Sequence, residues 1–317
     1  MSTRRDLPTE LPSTFSVGEA LDAGVSPHRL EAADLRRPFH GTRVAASAPQ
    51  TFDTRCGALA TRFRAGDAFT GPTAALLWGM PLPSRHAASP TLFVSSQPPV
   101  TPMRRAAVAG SLRFSGDPVR LRGLSVMPIW ETCRALALML SVPDLTAVID
   151  FVVTGDRGRN PLSTLVDLDA FLLSAARFRG ISPLRRARQQ ARRGAWSRPE
   201  TLLRLVVLDS GIPEPELNLP LAHPSGRQLI PDLAWPAYGV AAEYNGIHHD
   251  VPEQRVHDLR RIDDFTDIGW MTVNVERTEL FRHPDSAVAR VARRLTERGW
   301  VPSGRLHSAK SASWPHR

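Results

Sequence analysis

The stretch LIPDLAWPAYGVAAEYNGIHHD, Leu229 to Asp250, ends two apolar runs in groups that can do chemistry. Asp232 opens the first run, Glu243 and Asn245 close the second, and His248 and His249 follow at once. Side chains alternate across a strand. Glu243 and Asn245 therefore share a face with Ala241, while Ala242 and Tyr244 take the other. A hairpin turning at 236–239 brings Asp232 level with Glu243. Two carboxylates that close repel unless a proton or a cation lies between them. An all-oxygen pair suits a hard divalent ion such as magnesium. Such an ion lowers the pKa of a bound water and stabilises charge on a phosphate under attack. A salt bridge to arginine, or a plain turn role for Asp232, accounts for the same residues. No cysteine lies near His248, His249 and His257, and their surroundings are oxygen-rich, which argues against zinc.

The flanking sequence supplies elements to position this cluster. Ser197 is placed to cap a helix, RPETLLRLVVLDSG, with Glu200 at the third turn position. Leu202, Leu203, Val206 and Val207 form its apolar stripe, and Gly211 ends it. LNLPLAH, RQLIPDLAWP and GVAAEYNG read as three strands. PEQRVHDLRRIDDFTDIG reads as a helix stopped by Gly269, WMTVNVE as a strand, and DSAVARVARRLTERG as a last amphipathic helix. The expected order over 196–301 is α-β-β-β-α-β-α.

This pattern resembles the PD-(D/E)xK nuclease superfamily, and more closely the endonuclease-like domain related to very-short-patch-repair endonucleases. The carriers are Pro231-Asp232, then Glu243-Tyr244-Asn245-Gly246-Ile247-His248, then Asp258 to Arg261, then Gly269-Trp270 before MTVNV. The resemblance implies magnesium or manganese held by Asp232 and Glu243, with Glu200 as an outer carboxylate. It gives His248 or His249 a role as base, acid or phosphate donor, and Asp258 and Arg261 an orienting role. Residue 245 departs from the pattern, which has lysine or aspartate there. Asn245 can offer an amide oxygen but no charge and no base. A catalytically inactive DNA-binding regulator that keeps the nuclease fold is therefore the competing expectation.

The N-terminal part offers a different chemistry. In FSVGEALDAGVSPHRLEAADLRRPFHGTRVAA, Ser16 with Glu19 has capping-box spacing, Gly24 can end the first helix, and Ser26 can cap a second beginning at Pro27. PFHGTRVAA reads as a strand or wing. The segment resembles the winged helix of the abortive-infection type IV antitoxin family, and GLSVMPIWETCRALALML more loosely resembles the part that follows it. That resemblance implies DNA contact by Ser26, His28 and Arg29 and a toxin–antitoxin or defence partner. Between the two ends, DAFTGPTAALLWGMPLP reads as a helix, PTLFVSS, SLRFSG and LSVMPI as β-runs, and TCRALALMLSVPDLTAVIDFVVTG as two buried helices broken at Pro143. Trp78, Met80 and Trp130 are expected in the core.

From Arg177 to Arg198 the chain carries eight arginines and no acid. Arg185, Arg186, Arg188, Arg192 and Arg193 could follow a phosphate backbone or form a solvated helix face. The whole chain of 317 residues holds 40 Lys plus Arg against 31 Asp plus Glu, a net charge of +9. Guanidinium forks match phosphate geometry, which favours a nucleic-acid partner; a GC-rich genome would inflate arginine as well. Two cysteines rule out a disulfide scaffold, and no run is apolar enough to span a bilayer. The polar N-terminus does not read as a signal peptide, so a cytoplasmic protein with no membrane partner is expected. The expected class is α/β (α+β). It comprises a disordered 1–12, a winged helix-turn-helix at 13–48, a mixed middle domain at 49–176, an Arg-rich linker or helix at 177–195, the endonuclease-like domain at 196–301 and a disordered tail at 302–317.

Overall fold

The computed structural model describes residues 6–96, 116–175, 179–246 and 252–308, the last span without the side chains of 252–259. The chain is mixed α and β and divides into two compact units. The first holds Met1–Gly79 and His86–Ala135, the second Met80–Arg85 and Leu136–Arg317. The expected middle domain therefore ends early: residues 136–175 fall in the same unit as the C-terminal region. Among the described residues no helix is long and apolar enough to cross a membrane.

The first unit opens with strand β1 (Thr14–Ser16) and helix α1 (Val17–Asp22). The capping box forms as expected: the Ser16 hydroxyl accepts from the Glu19 amide at 3.1 Å, and the Glu19 carboxylate accepts from the Ser16 amide at 2.7 Å. The second helix expected from Pro27 does not form. Ser26 caps Arg29, but only a three-residue 3-10 turn, Arg29–Glu31, follows. The Leu30 carbonyl, which a longer helix would use, accepts from Arg43 Nε at 2.7 Å instead. Strands β2 (Leu35–Arg36) and β3 (Thr42–Ala45) pair antiparallel, and β3 also pairs with β1, giving the order β1-β3-β2. Phe15, Ala20, Val25, Leu30 and Leu35 make the small core. Leu7 and Leu11, expected to be disordered, pack against it.

Helix α2 (Phe52–Ala60), strand β4 (Ala68–Phe69), helix α3 (Gly71–Leu77) and a one-turn helix α4 (Ser84–Ala87) come next. Strands β5 (Val94–Ser95), β6 (Val119–Leu121) and β7 (Leu124–Val126) complete a sheet ordered β5-β4-β7-β6. SLRFSG lies almost wholly outside the described residues. Met80 and Trp130 are buried as expected, and Trp78 is half-buried with its indole N–H donating to the Met127 carbonyl at 3.0 Å. Helix α5 (Ile129–Leu136) closes this unit, and α6 (Val142–Thr154) opens the helical layer of the next, with Ser141 as its cap and Pro143 in its first turn.

In the second unit α6 is joined by α7 (Leu165–Ser174), α8 (Ile181–Gln190) and α9 (Arg198–Asp209). Within the Arg-rich segment, residues 181–190 form helix α8, with Ile181, Leu184 and Ala187 buried. Buried polar contacts fasten α6 to α9. Asp150 accepts from Arg204 Nη2 at 3.0 Å, Thr201 Oγ1 at 2.8 Å and the Arg192 amide at 2.7 Å. Asp144 accepts from Arg198 at 2.6 and 2.8 Å.

A four-stranded sheet follows, built from β8 (Glu216–Leu217), β11 (Leu233–Trp235), β12 (Val240–Asn245) and β13 (Met271–Glu276) in the order β13-β12-β11-β8. Pairing is antiparallel except between β12 and β13, which run parallel across the crossover helix α10 (Pro252–Asp267). Two of the expected strands are each broken in two. The chain leaves the sheet after β8, forms a separate ribbon of β9 (Leu221–Ala222) and β10 (Gln228–Leu229), and returns at β11. Pro220 and Pro231 sit at the breaks, where a missing N–H cannot join a ladder. Helices α11 (Arg277–Arg282) and α12 (Pro284–Glu297) follow β13; α11 was not expected. One sheet face packs Leu233, Trp235, Val240, Ala242, Val273 and Val275 against α9 and α12. The other packs Ala241 against Phe265 of α10. Residues 302–308, expected to be loose, are partly anchored: Leu306 packs on the core and the His307 amide donates to the Ser210 carbonyl at 3.2 Å.

Candidate active site

The site lies on the α10 face of the sheet, at the start of β11 and the end of β12. A tight turn makes the alignment. Pro236–Tyr238 form a 3-10 turn, and Gly239 follows at φ +60°, a region that disfavours a side chain. Leu233 then pairs with Ala242 and Ala234 with Ala241, so Asp232 stands one step further, beside Glu243. The Tyr244 amide donates to Asp232 Oδ2 at 2.7 Å. In the parallel pair Glu243 is opposite Asn274, and Asn245 is opposite Glu276. Asp232, Glu243 and Asn274 thus form one row of oxygen-bearing side chains across three strands, as alternation along each strand requires.

Glu200 enters from the first turn of α9. It is buried, and its Oε2 accepts from the Trp196 amide and from Asn218 Nδ2, both at 2.8 Å. Asn218 adopts φ +49° just after β8, a conformation asparagine tolerates, and its amide N–H donates to the Asp232 carbonyl at 3.1 Å. Glu200 is thus anchored as well as charged.

The electrostatics of the two central carboxylates differ. Glu243 is gripped by Arg261 from α10, whose Nε lies 2.7 and 3.0 Å from its oxygens and whose Nη2 also bonds it. Nη2 reaches the Ile230 carbonyl at 2.7 Å, and the guanidinium lies over the Phe265 ring. Burial opposes the charge on Arg261, but the bonds to Glu243 and the nearby carboxylates outweigh it and raise its pKa. Asp232 is half-buried as a residue, but its carboxyl end is enclosed. Burial and the negative charge of Glu200 push it up to about 8, with Glu243 adding to the rise against the Tyr244 amide and Arg261.

An all-oxygen donor set of this kind fits magnesium or manganese. Among the described residues no group of three His, Cys, Asp or Glu side chains is placed to hold a metal ion. A cation here would draw on Asp232 and Glu243 together with neutral oxygens. Asn274 Oδ1 is one such oxygen: it is buried, with no hydrogen-bond partner. Sequence reasoning missed Asn274 and Asn218. The alternation in MTVNVE, which puts Thr272, Asn274 and Glu276 on one face, is the signal that points to the first.

His248 and His249 lie outside the described residues, as does the side chain of Asp258. Arg261 donates to Glu243, and Asn245 sits half-buried at the end of β12. The basic residues fall into two groups. Arg188 is paired with Asp169 at 2.6 Å, Arg192 with Glu214 at 2.7 Å, and Arg185 donates to the Leu172 carbonyl at 3.3 Å. Arg186 and Arg193 are exposed. In the first unit Ser26 and His28 are exposed, but Arg29 is held by Asp34 through two bonds of 2.9 and 2.8 Å.

No family model matches the chain, and no solved structure does. Two curated proteins of Mycobacterium tuberculosis resemble it: the uncharacterized protein MT2308 of strain CDC 1551 / Oshkosh and the uncharacterized protein Rv2248 of strain H37Rv. Each is 30% identical over 173 residues, 54% of this chain and 62% of the relative.

Proposed function

We propose that the second unit is a magnesium- or manganese-dependent endonuclease-like domain that hydrolyses DNA phosphodiester bonds. The observation that carries this reading is the alignment of Asp232 with Glu243 on adjacent strands, with the Asp232 pKa raised by burial and by the negative charge of Glu200 and Glu243. Further support comes from the sheet: an antiparallel run β8-β11-β12, extended by β13 in parallel through a crossover helix, with a glutamate on the preceding α9.

In this reading Asp232 and Glu243 would hold the cation, with the amide oxygens of Asn274 and Asn245 as candidate further donors. When bound, such an ion would supply positive charge to a phosphate and acidity to a water. Glu200, fixed by Trp196 and Asn218, keeps the pocket negative. Arg261 fixes the orientation of Glu243, and the resemblance gives Asp258 an orienting role. His248 or His249 takes the proton of the attacking water or returns one to the leaving oxygen. DNA is the partner, with a toxin–antitoxin or defence system and a cytoplasmic location as the setting. Asp232→Ala and Glu243→Ala should each abolish metal-dependent cleavage of plasmid and single-stranded DNA while DNA binding persists. Cleavage that survives both substitutions would exclude this site.

A second reading, a non-hydrolytic DNA-binding regulator with the same fold, is favoured by one contact. Arg261 occupies both oxygens of Glu243, as a cation otherwise would, while Asn245 replaces a charged residue of the resembled pattern. It predicts DNA binding that is indifferent to magnesium and to Glu243→Ala.

A further inference from the structure

The first unit carries two adjoining cavities, each with several arginines among mostly neutral lining residues. One, of about 560 Å³, is lined by Arg37, His40, Arg43 and Arg62. The other, of about 320 Å³, is lined by Arg36, Arg37 and Arg55. They share Arg37 and Pro38, so they form one groove along the turn between β2 and β3 and the flank of α2. Among the described residues lining either cavity, none is acidic.

These arginines do not all serve the fold. Arg43 is buried and tied to the Leu30 and Thr42 carbonyls and to Glu31, so it builds the wall. Arg36 Nη2 bonds the Ala45 carbonyl at 3.3 Å, while its buried Nε has no partner. Arg37 is half-exposed and shares Glu31 with Arg43, leaving two guanidinium groups on one carboxylate. Arg62 is exposed and lies across Gly41 at the tip of the turn. Gly41 has φ +75°, and a Cβ there would stand 2.9 Å from Arg62 Nη1. The absence of a side chain at Gly41 therefore lets the Arg62 guanidinium approach the turn closely.

We propose that this groove binds the phosphate backbone of a nucleic acid, with Arg37 and Arg62 as the principal contacts. A surface with this surplus of guanidinium donors and no lining acid matches a row of phosphates, which arginine engages through paired N–H groups. It lies apart in sequence from Ser26, His28 and Arg29, the contacts expected from sequence, and Arg29 is already occupied by Asp34. The inference does not rest on hydrolysis in the second unit.

The test uses the full chain and a short labelled DNA duplex, with affinity measured by fluorescence anisotropy at several salt concentrations. The double variant Arg37→Ala/Arg62→Ala should bind about tenfold more weakly, and its salt slope should fall by about one for each phosphate that is no longer engaged. Arg122→Ala, which removes a charge outside the groove in the same unit, should change neither. Thermal unfolding of each variant checks that the fold is intact. Unchanged affinity and slope in the double variant would overturn the proposal. So would an equal weakening in Arg122→Ala, or wild-type protein that binds inorganic pyrophosphate but no duplex.

Discussion

Asp150 and Asp232 are both enclosed aspartates of the second unit, and their surroundings differ in one respect. Asp150 accepts three hydrogen bonds, one of them from a buried arginine, and burial raises it only to about 6. Asp232 has one backbone amide, Glu200 and Glu243 as neighbours, and a pKa pushed up to about 8. Burial alone does not separate a structural carboxylate from a functional one; the number of compensating donors does. Asp150 is a finished joint between α6 and α9. Asp232 is enclosed with one donated hydrogen bond and two carboxylate neighbours, and in the proposed function a cation or a proton completes it.

The largest consequence falls at the joint. Asp150→Ala leaves buried Arg204 with only the more distant, exposed Glu214 as counter-charge, which should destabilise the second unit by about 3 kcal/mol. Denaturant unfolding measures it, and a loss below about 1 kcal/mol would place the pair with weak exposed bridges. Asp232→Asn should have a smaller effect of opposite character. Both aspartates titrate near 4 when unfolded, and both are raised in the folded chain. Each therefore favours folding at low pH and loses that contribution as pH rises through its folded value. For Asp150 the loss is complete above about pH 6, and for Asp232 above about pH 8. Stability of the wild type should thus keep falling between pH 6 and 8 because of Asp232, and Asp232→Asn should flatten that interval. An identical slope in both proteins would refute the assignment.

The contrast also marks what the sequence makes legible. The elements of 196–301 follow from local signals: Ser197 before RPETLL, Gly239 in the hairpin turn, Gly269 before the last strand. The level of Asp232 with Glu243 follows from alternation and turn position, and the register agrees. Prolines 220 and 231 mark the breaks that create the β9–β10 ribbon, but apolar residues on both sides mask them. The joint is not legible, because Asp150 and Arg204 lie 54 residues apart and look like ordinary surface charges. For the same reason α6 reads as part of a middle domain. Pairing likewise divides the basic segment, since Asp169 and Glu214 claim Arg188 and Arg192 from outside its helix. The expected helix at Pro27 fails through another distant contact, the bond from Arg43 to the Leu30 carbonyl.

The most direct test is calorimetric titration of magnesium and manganese into the wild-type protein, Glu243→Ala and Asn274→Asp, in buffers of different ionisation heat at pH 7. Binding to the wild type should release a proton, because a cation displaces the one on Asp232. Glu243→Ala should abolish the signal, and Asn274→Asp, which adds a charge to the row, should tighten it. Absence of binding to the wild type at millimolar metal, or binding that Glu243→Ala leaves intact, would contradict a cation site between β11 and β12.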